Sequence, residues 1–197
     1  ARGDELRTWL RERHADDSAL TVVQADITHP GLDIADADEA LLRSVRDVYN
    51  AAALYRFGLG RDEAHQANVT GALNVLHWAA ARPQLRRLVH ISGYRVSVDA
   101  SLPYPVPEDQ RSALYQRHGA YEASKREGDA AVRTVAAQQG IPLTVVNPSG
   151  LIGHSVTGEA GQYIGLADLA ERLWTGRLPA LAGSARTFLP VVTVDHL

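Results

Sequence analysis

Gln139-Gly140-Ile141-Pro142-Leu143-Thr144-Val145-Val146-Asn147 decides the fold. Gly140 and Pro142 stop whatever helix precedes them, and the apolar, β-branched run after them reads as a buried strand. The helix that stops there extends back to about Ala120, behind a proline-rich loop with Pro103, Pro105 and Pro107. Working outward, Arg87 to Ser92 forms a strand and Arg61 to Ala81 a long helix with Ala64, Ala67, Leu73, Leu76 and Ala80 inward. Asp47 to Asn50 is a strand running into Ala51-Ala52-Ala53, and Asp38 to Val45 makes a short helix. Gly3 to His14 has helical spacing at Leu6, Trp9, Leu10 and Arg13, and Leu20 to Val23 has the composition of a buried strand. Strands and helices therefore alternate. The expected architecture is α/β, a doubly wound parallel sheet with helices on both faces and ligands at the carboxyl ends of its strands. From Ser149 the pattern loosens into glycine-rich loops, a helix near Leu166 to Leu173, and a closing Pro190-Val-Val-Thr-Val-Asp195. The sequence thus divides into a regular α/β part, residues 1–148, and a looser part, residues 149–197.

The 197 residues are 45% hydrophobic and 22% charged with net charge −3, a globular composition that argues against nucleic acid as a partner and for small molecules. No apolar run reaches the roughly 20 residues of a membrane span. The absence of cysteine removes disulfides and thiolate chemistry and permits the cytoplasmic location expected here. Eight histidines show no ligand spacing with a carboxylate, so no metal is expected, and His90 reads as a satisfied core imidazole. The arginines are interspersed with acids, as at Arg11-Glu12-Arg13, and read as a solvated face.

Of twenty basic residues only Lys125 is lysine, and it lies four residues after Tyr121 on one face of the expected helix. Such a pair is equally common as mere surface decoration. Its chemical reading is that the ammonium lowers the phenol's pKa from about 10, so that Tyr121 exchanges a proton with a substrate oxygen.

Tyr121-Glu-Ala-Ser-Lys125 resembles the Tyr-x-x-x-Lys signature of short-chain dehydrogenases, and the flanking segments resemble the extended branch of that family in the family's own order. The resemblance implies that Asp26 and Ile27, in Val23-Gln-Ala-Asp-Ile27, contact the adenine, and that Ala51, Ala52 and Ala53 form the turn over which the cofactor lies. It further implies that Asn68, in Asn-Val-Thr-Gly71, supports the site. Leu88-Val-His-Ile-Ser92 resembles the strand presenting the active-site hydroxyl, and Pro148, after Val145-Val-Asn147, lies beside the nicotinamide. Downstream, Pro148 to Gly158, Gly176-Arg-Leu-Pro179 and Pro190 to His196 resemble the thioester reductase and fatty acyl reductase subgroup.

The resemblance implies hydride transfer from NAD(P)H to a carbonyl or acyl thioester. Epimerase, dehydratase or hydroxysteroid-type dehydrogenase activity, and a non-catalytic nucleotide-binding role, are the alternatives. Arg2, placed where a second strand has just ended, favours NADPH over NADH. Two departures stand out. The glycine-rich turn that receives a pyrophosphate does not occur, so the sequence is expected to begin downstream of it. Gly93 occupies the position where the family carries its catalytic Ser or Thr, which leaves Ser92 or Ser97 as the replacement hydroxyl.

Overall fold

A computed structural model describes residues 2–56, 58–96, 102–161, 165–178, 180, 183–184 and 186–197; the side chain of Arg2 and all of Ser97 and Pro179 lie outside the described set. Helix α1 covers Arg2–Glu12, α2 Asp36–Leu41, β1 Asp47–Asn50, α3 Arg61–His65 and α4 Gly71–Ala80. Strand β2 covers Arg87–Ile91, α5 Glu108–Gln139, β3 Leu143–Val146, β4 Gly150–Ile152, α6 Leu166–Trp174 and β5 Val191–Thr193.

The main sheet has the order β1-β2-β3 and is parallel throughout, with Asn50 opposite His90 and Ile91 opposite Val146. Parallel neighbours need a crossover, supplied by α3 and α4 between β1 and β2 and by α5 between β2 and β3. Because the strands add in one direction, two right-handed crossovers put both helices on one face. Leu76, Ala79, Leu88, Val132 and Ala136 of α4, β2 and α5 form the buried cluster there, with Ile27 and Val48 at its margin. Each leucine or valine side chain among them contributes about 1.5–3 kcal/mol by leaving water. Alternation turns Tyr49 to the opposite face, where it is 72% exposed. This is the Rossmann-like parallel α/β arrangement that the sequence predicts.

Two helix boundaries need correction, whereas the strand-like segment Leu20 to Val23 stands without a paired neighbour among the described residues, as expected for it. It is instead pinned to α1, where Arg7 donates to Leu20 O at 2.5 Å and to Asp17 O at 3.2 Å, and Val22 packs on Gly3. Its β-branched composition shows that it suits a sheet, but composition supplies no neighbour. The helix from Arg61 to Ala81 is interrupted by a π turn over Gln66–Thr70. Helicity before Tyr121 begins at Glu108 rather than Ala120, and Gly119 (φ 74°, ψ 166°) breaks α5 into two limbs at a conformation only glycine adopts without strain. Glu127, fully buried, holds the limbs together by accepting hydrogen bonds from Arg111 Nε at 2.8 Å and Tyr115 Oη at 3.3 Å. The expected stop holds, since Gly140 is left-handed and Ile141 N bonds back to Ala136 O.

Strands β4 and β5 form a separate parallel pair, Gly150 opposite Val191 to Ile152 opposite Thr193. Asp195 accepts from both the amide and the hydroxyl of Ser155, at 2.8 and 2.6 Å, and so ties the Gly153–Gly158 loop to the end of β5. Among the described residues no helix is long and apolar enough to cross a membrane, and no metal-binding cluster occurs.

Candidate active site

The carboxyl ends of β1, β2 and β3 meet the start of the second limb of α5. At β1 the chain leaves the sheet through Ala51, Ala52 and Ala53, all exposed, and Ala52 N donates to the Asn50 side chain at 3.1 Å. Beyond this turn, Asn68 accepts from Leu54 N at 2.8 Å and donates to Leu54 O at 3.2 Å and to Ser124 Oγ at 2.9 Å. Ser124 in turn donates to Tyr121 O at 2.9 Å. The π turn is what lets Asn68 face both the loop and α5, a use of this rare conformation that is frequent at functional sites. Gly128 lets α5 approach: a Cβ there would stand 2.3 Å from Asn68 O.

Tyr121 lies in the first turn after the Gly119 break, its ring edge-on to Tyr55 with centroids 4.7 Å apart. Lys125, one turn further on, donates from Nζ to Ile91 O at 3.3 Å, which places its ammonium over the end of β2. The sequence predicts that this ammonium lowers the Tyr121 pKa. The structure shows the opposite balance: burial, followed by the neighbouring Tyr55, raises the phenol, and burial lowers the ammonium. Desolvation outweighs the pair because Lys125 is directed at a backbone carbonyl.

Ser92 follows β2 directly, its amide bonded to Val146 O at 2.8 Å. Its Oγ and Asn147 Oδ1, at the ends of adjacent strands, are both buried with no hydrogen-bond partner among the described residues. Buried polar atoms without partners are uncommon in folded proteins, and a pair at strand ends fits a polar ligand. The structure therefore brings Ser92, Lys125 and Tyr121 to one region, with Pro148 O accepting from Tyr94 N at 3.1 Å beside them. Gly93 has its nearest contact for an added Cβ at 3.9 Å, on Val96.

Asp26 is exposed and occupied locally, its Oδ1 accepting from Thr28 N and Thr28 Oγ1 at 2.8 and 2.7 Å. Ile27 packs against Gly71 and accepts from Asn74 Nδ2 at 2.8 Å, which holds this segment on α4. Sequence reasoning passed over Asn50, Tyr55, Ser124 and Gly128. Ser124, inside the Tyr121–Lys125 signature, was the one with a visible signal.

A parallel sheet whose strand ends carry a small-residue turn, orphaned buried polar atoms and a Tyr–Lys pair on the following helix has the arrangement of a Rossmann-type nucleotide-binding domain. The chain belongs to the male sterility protein family of NAD-binding domains, whose profile matches residues 2–197, an NAD(P)-binding reductase family of the extended short-chain dehydrogenase type. Its fold is similar to that of the terminal R domain from the myxalamid PKS-NRPS biosynthetic pathway (TM-score 0.64, 25% identity, 87% of this chain and 43% of that one). It is also similar to the PhqB reductase domain from Penicillium fellutanum (0.63, 20%, 87% and 42%) and to Gre2 from Candida albicans in complex with NADPH (0.58, 18%, 81% and 52%). The chain thus spans less than half the length of the first two. No curated protein matches it.

Proposed function

We propose that the protein carrying this chain reduces a carbonyl or acyl thioester with a nicotinamide dinucleotide, NADPH in preference to NADH. The observation that carries this reading is Lys125 seated on Ile91 O at the end of β2, one residue from the orphaned hydroxyl of Ser92 and one helical turn from Tyr121. The exposed turn Ala51–Ala53 gives a dinucleotide close backbone approach, Asp26 and Ile27 flank its adenine, Asn68 holds the turn, and Pro148 borders the nicotinamide. Lys125 holds the ribose hydroxyls. The preference for NADPH rests on the sequence position of Arg2.

When bound, the dinucleotide supplies a hydride to the carbonyl carbon. Tyr121 donates its phenolic proton to the oxygen that gains charge, and the raised pKa of the buried phenol keeps that proton available across neutral pH. Ser92 Oγ donates a second hydrogen bond to that oxygen in place of the hydroxyl missing at Gly93. Residues 1–148 form the nucleotide-binding part, and residues 149–197, tied by Asp195 to Ser155, begin the substrate part. The test is Tyr121→Phe in the full-length protein, with NADPH oxidation followed on aldehyde and acyl-thioester substrates. Loss of most turnover with unchanged NADPH affinity supports the assignment, and near-normal turnover removes Tyr121 as proton donor.

A further inference from the structure

Asn50 and His90 face each other across β1 and β2 as register partners, 5% and 3% exposed, with Asn50 Nδ2 and His90 Nδ1 3.3 Å apart. The Asn50 amide is oriented by its other end. Ala52 N donates to Oδ1, so the group facing His90 is the NH2, a donor. His90 Nδ1 must then accept, which puts the imidazole proton on Nε2 and requires a neutral ring. Protonation at Nδ1 would set N–H against N–H in a buried site. Burial, with the nearby charge of Lys125, agrees by pushing His90 down to about 4, against an opposing pull from Asp129; Arg133 adds to the lowering. One residue along the same strand, Ile91 O receives the Lys125 ammonium.

We infer that Asn50 and His90 are a positioning pair that couples the Ala51–Ala53 turn to the strand end under Lys125. The inference rests on the reading that this turn and Lys125 hold the dinucleotide. The amide side chain has one oxygen and one nitrogen, and each is committed, the oxygen to the turn and the nitrogen to β2. A change at His90 therefore strands Asn50 Nδ2, and the amide can satisfy it only by rotating, which releases Ala52. Neither residue is placed to touch the reacting atoms. Their work is to fix the turn on one side and a neutral ring beside Lys125 on the other.

The experiment is a fluorescence titration of the full-length protein with NADPH, at a temperature where circular dichroism shows each variant folded. His90→Leu and Asn50→Leu each weaken NADPH binding by about tenfold, the consequence of stranding one buried polar group. The double variant binds no worse than either single one, because both ends of the pair are then gone. His90→Asn, whose Oδ1 can stand where Nδ1 does, keeps most of the affinity. Additive losses, or single variants that bind like wild type, overturn the coupling and leave the functional reading standing. Should His90→Leu fail to fold, equal binding by His90→Asn and Asn50→Leu overturns it instead. Wild-type protein that binds neither NADPH nor NADH overturns both.

Discussion

Glycine to alanine inside a helix ordinarily stabilises by roughly 0.5–1 kcal/mol, because the glycine loses more backbone freedom on folding. Gly128→Ala should do the reverse. The added Cβ would stand 2.3 Å from Asn68 O, 3.2 Å from Asn68 C and 3.6 Å from Val69 Cα, all backbone atoms that cannot rotate aside. Restoring an ordinary contact requires α5 and the π turn to separate by about 1 Å, and overpacking of this kind costs about 1–3 kcal/mol. The displacement falls on the residue whose side chain holds Leu54 and Ser124 with bonds of 2.8, 3.2 and 2.9 Å, so an ångström of movement takes those contacts beyond hydrogen-bonding range. Misplacement on that scale near reacting groups costs about 10² in rate. The variant is to be compared with wild type in the full-length protein by thermal unfolding and by kcat/KM for NADPH-dependent reduction. A Tm equal to or above wild type with unchanged kcat/KM would refute the reasoning, since it would mean the two helices do not meet at this glycine.

Gly93→Ser should raise turnover by about tenfold or more, because the position has room for a Cβ and a carbonyl gaining charge benefits from a further donor; unchanged turnover, together with a neutral Ser92→Ala, would reduce the catalytic group to Tyr121 and Lys125. Lys125→Arg should lower kcat/KM by about two orders of magnitude, since a planar guanidinium cannot take the place of a compact buried ammonium on Ile91 O, and an active Lys125→Arg enzyme would show that only charge is needed. His90 links stability to pH. Its folded-state pKa of about 4 lies below the ordinary 6.5, so its contribution is fully present above pH 6.5 and is lost as the pH falls toward 4. The loss amounts to about 3 kcal/mol, and urea unfolding that shows the same acid sensitivity in wild type and His90→Asn would contradict it.

The order of the elements was legible because their local signals are strong. Gly140 and Pro142 end a helix, Asp47–Asn50 was readable as a strand because helices flank it on both sides, and Leu143–Val146 because an apolar, β-branched run follows that stop. The first limb of α5 was hidden because Gly119 lets a helix stop and restart within one residue, and the proline-rich approach to it reads as loop. Leu20 to Val23 has the composition of a strand and stays unpaired as expected, since a ladder exists only where another strand offers its backbone. Within the candidate site, the sequence singles out Tyr121 and Lys125 by the rarity of lysine in this chain, and Ser92 by its place beside Gly93. The partnership of Asn50 with His90 and the fit of Gly128 against Asn68 are not legible in the sequence, because each depends on the register of segments about forty to sixty residues apart.

The π turn over Gln66–Thr70 also fixes the angular phase of everything that follows it. A π turn holds one residue more than the hydrogen-bonding pattern of an α-helix would, and each residue advances the helix by about 100°. Removing one residue from that turn would give a more regular helix and rotate α3 by that angle relative to α4. If α4 kept its apolar stripe, Leu76 and Ala79, against β2 and α5, Asn68 would swing away from Leu54; if Asn68 stayed, the stripe would turn toward water. The irregular turn is thus an azimuthal adjustment, and it allows one helix to serve the core at one end and the loop through Leu54 at the other.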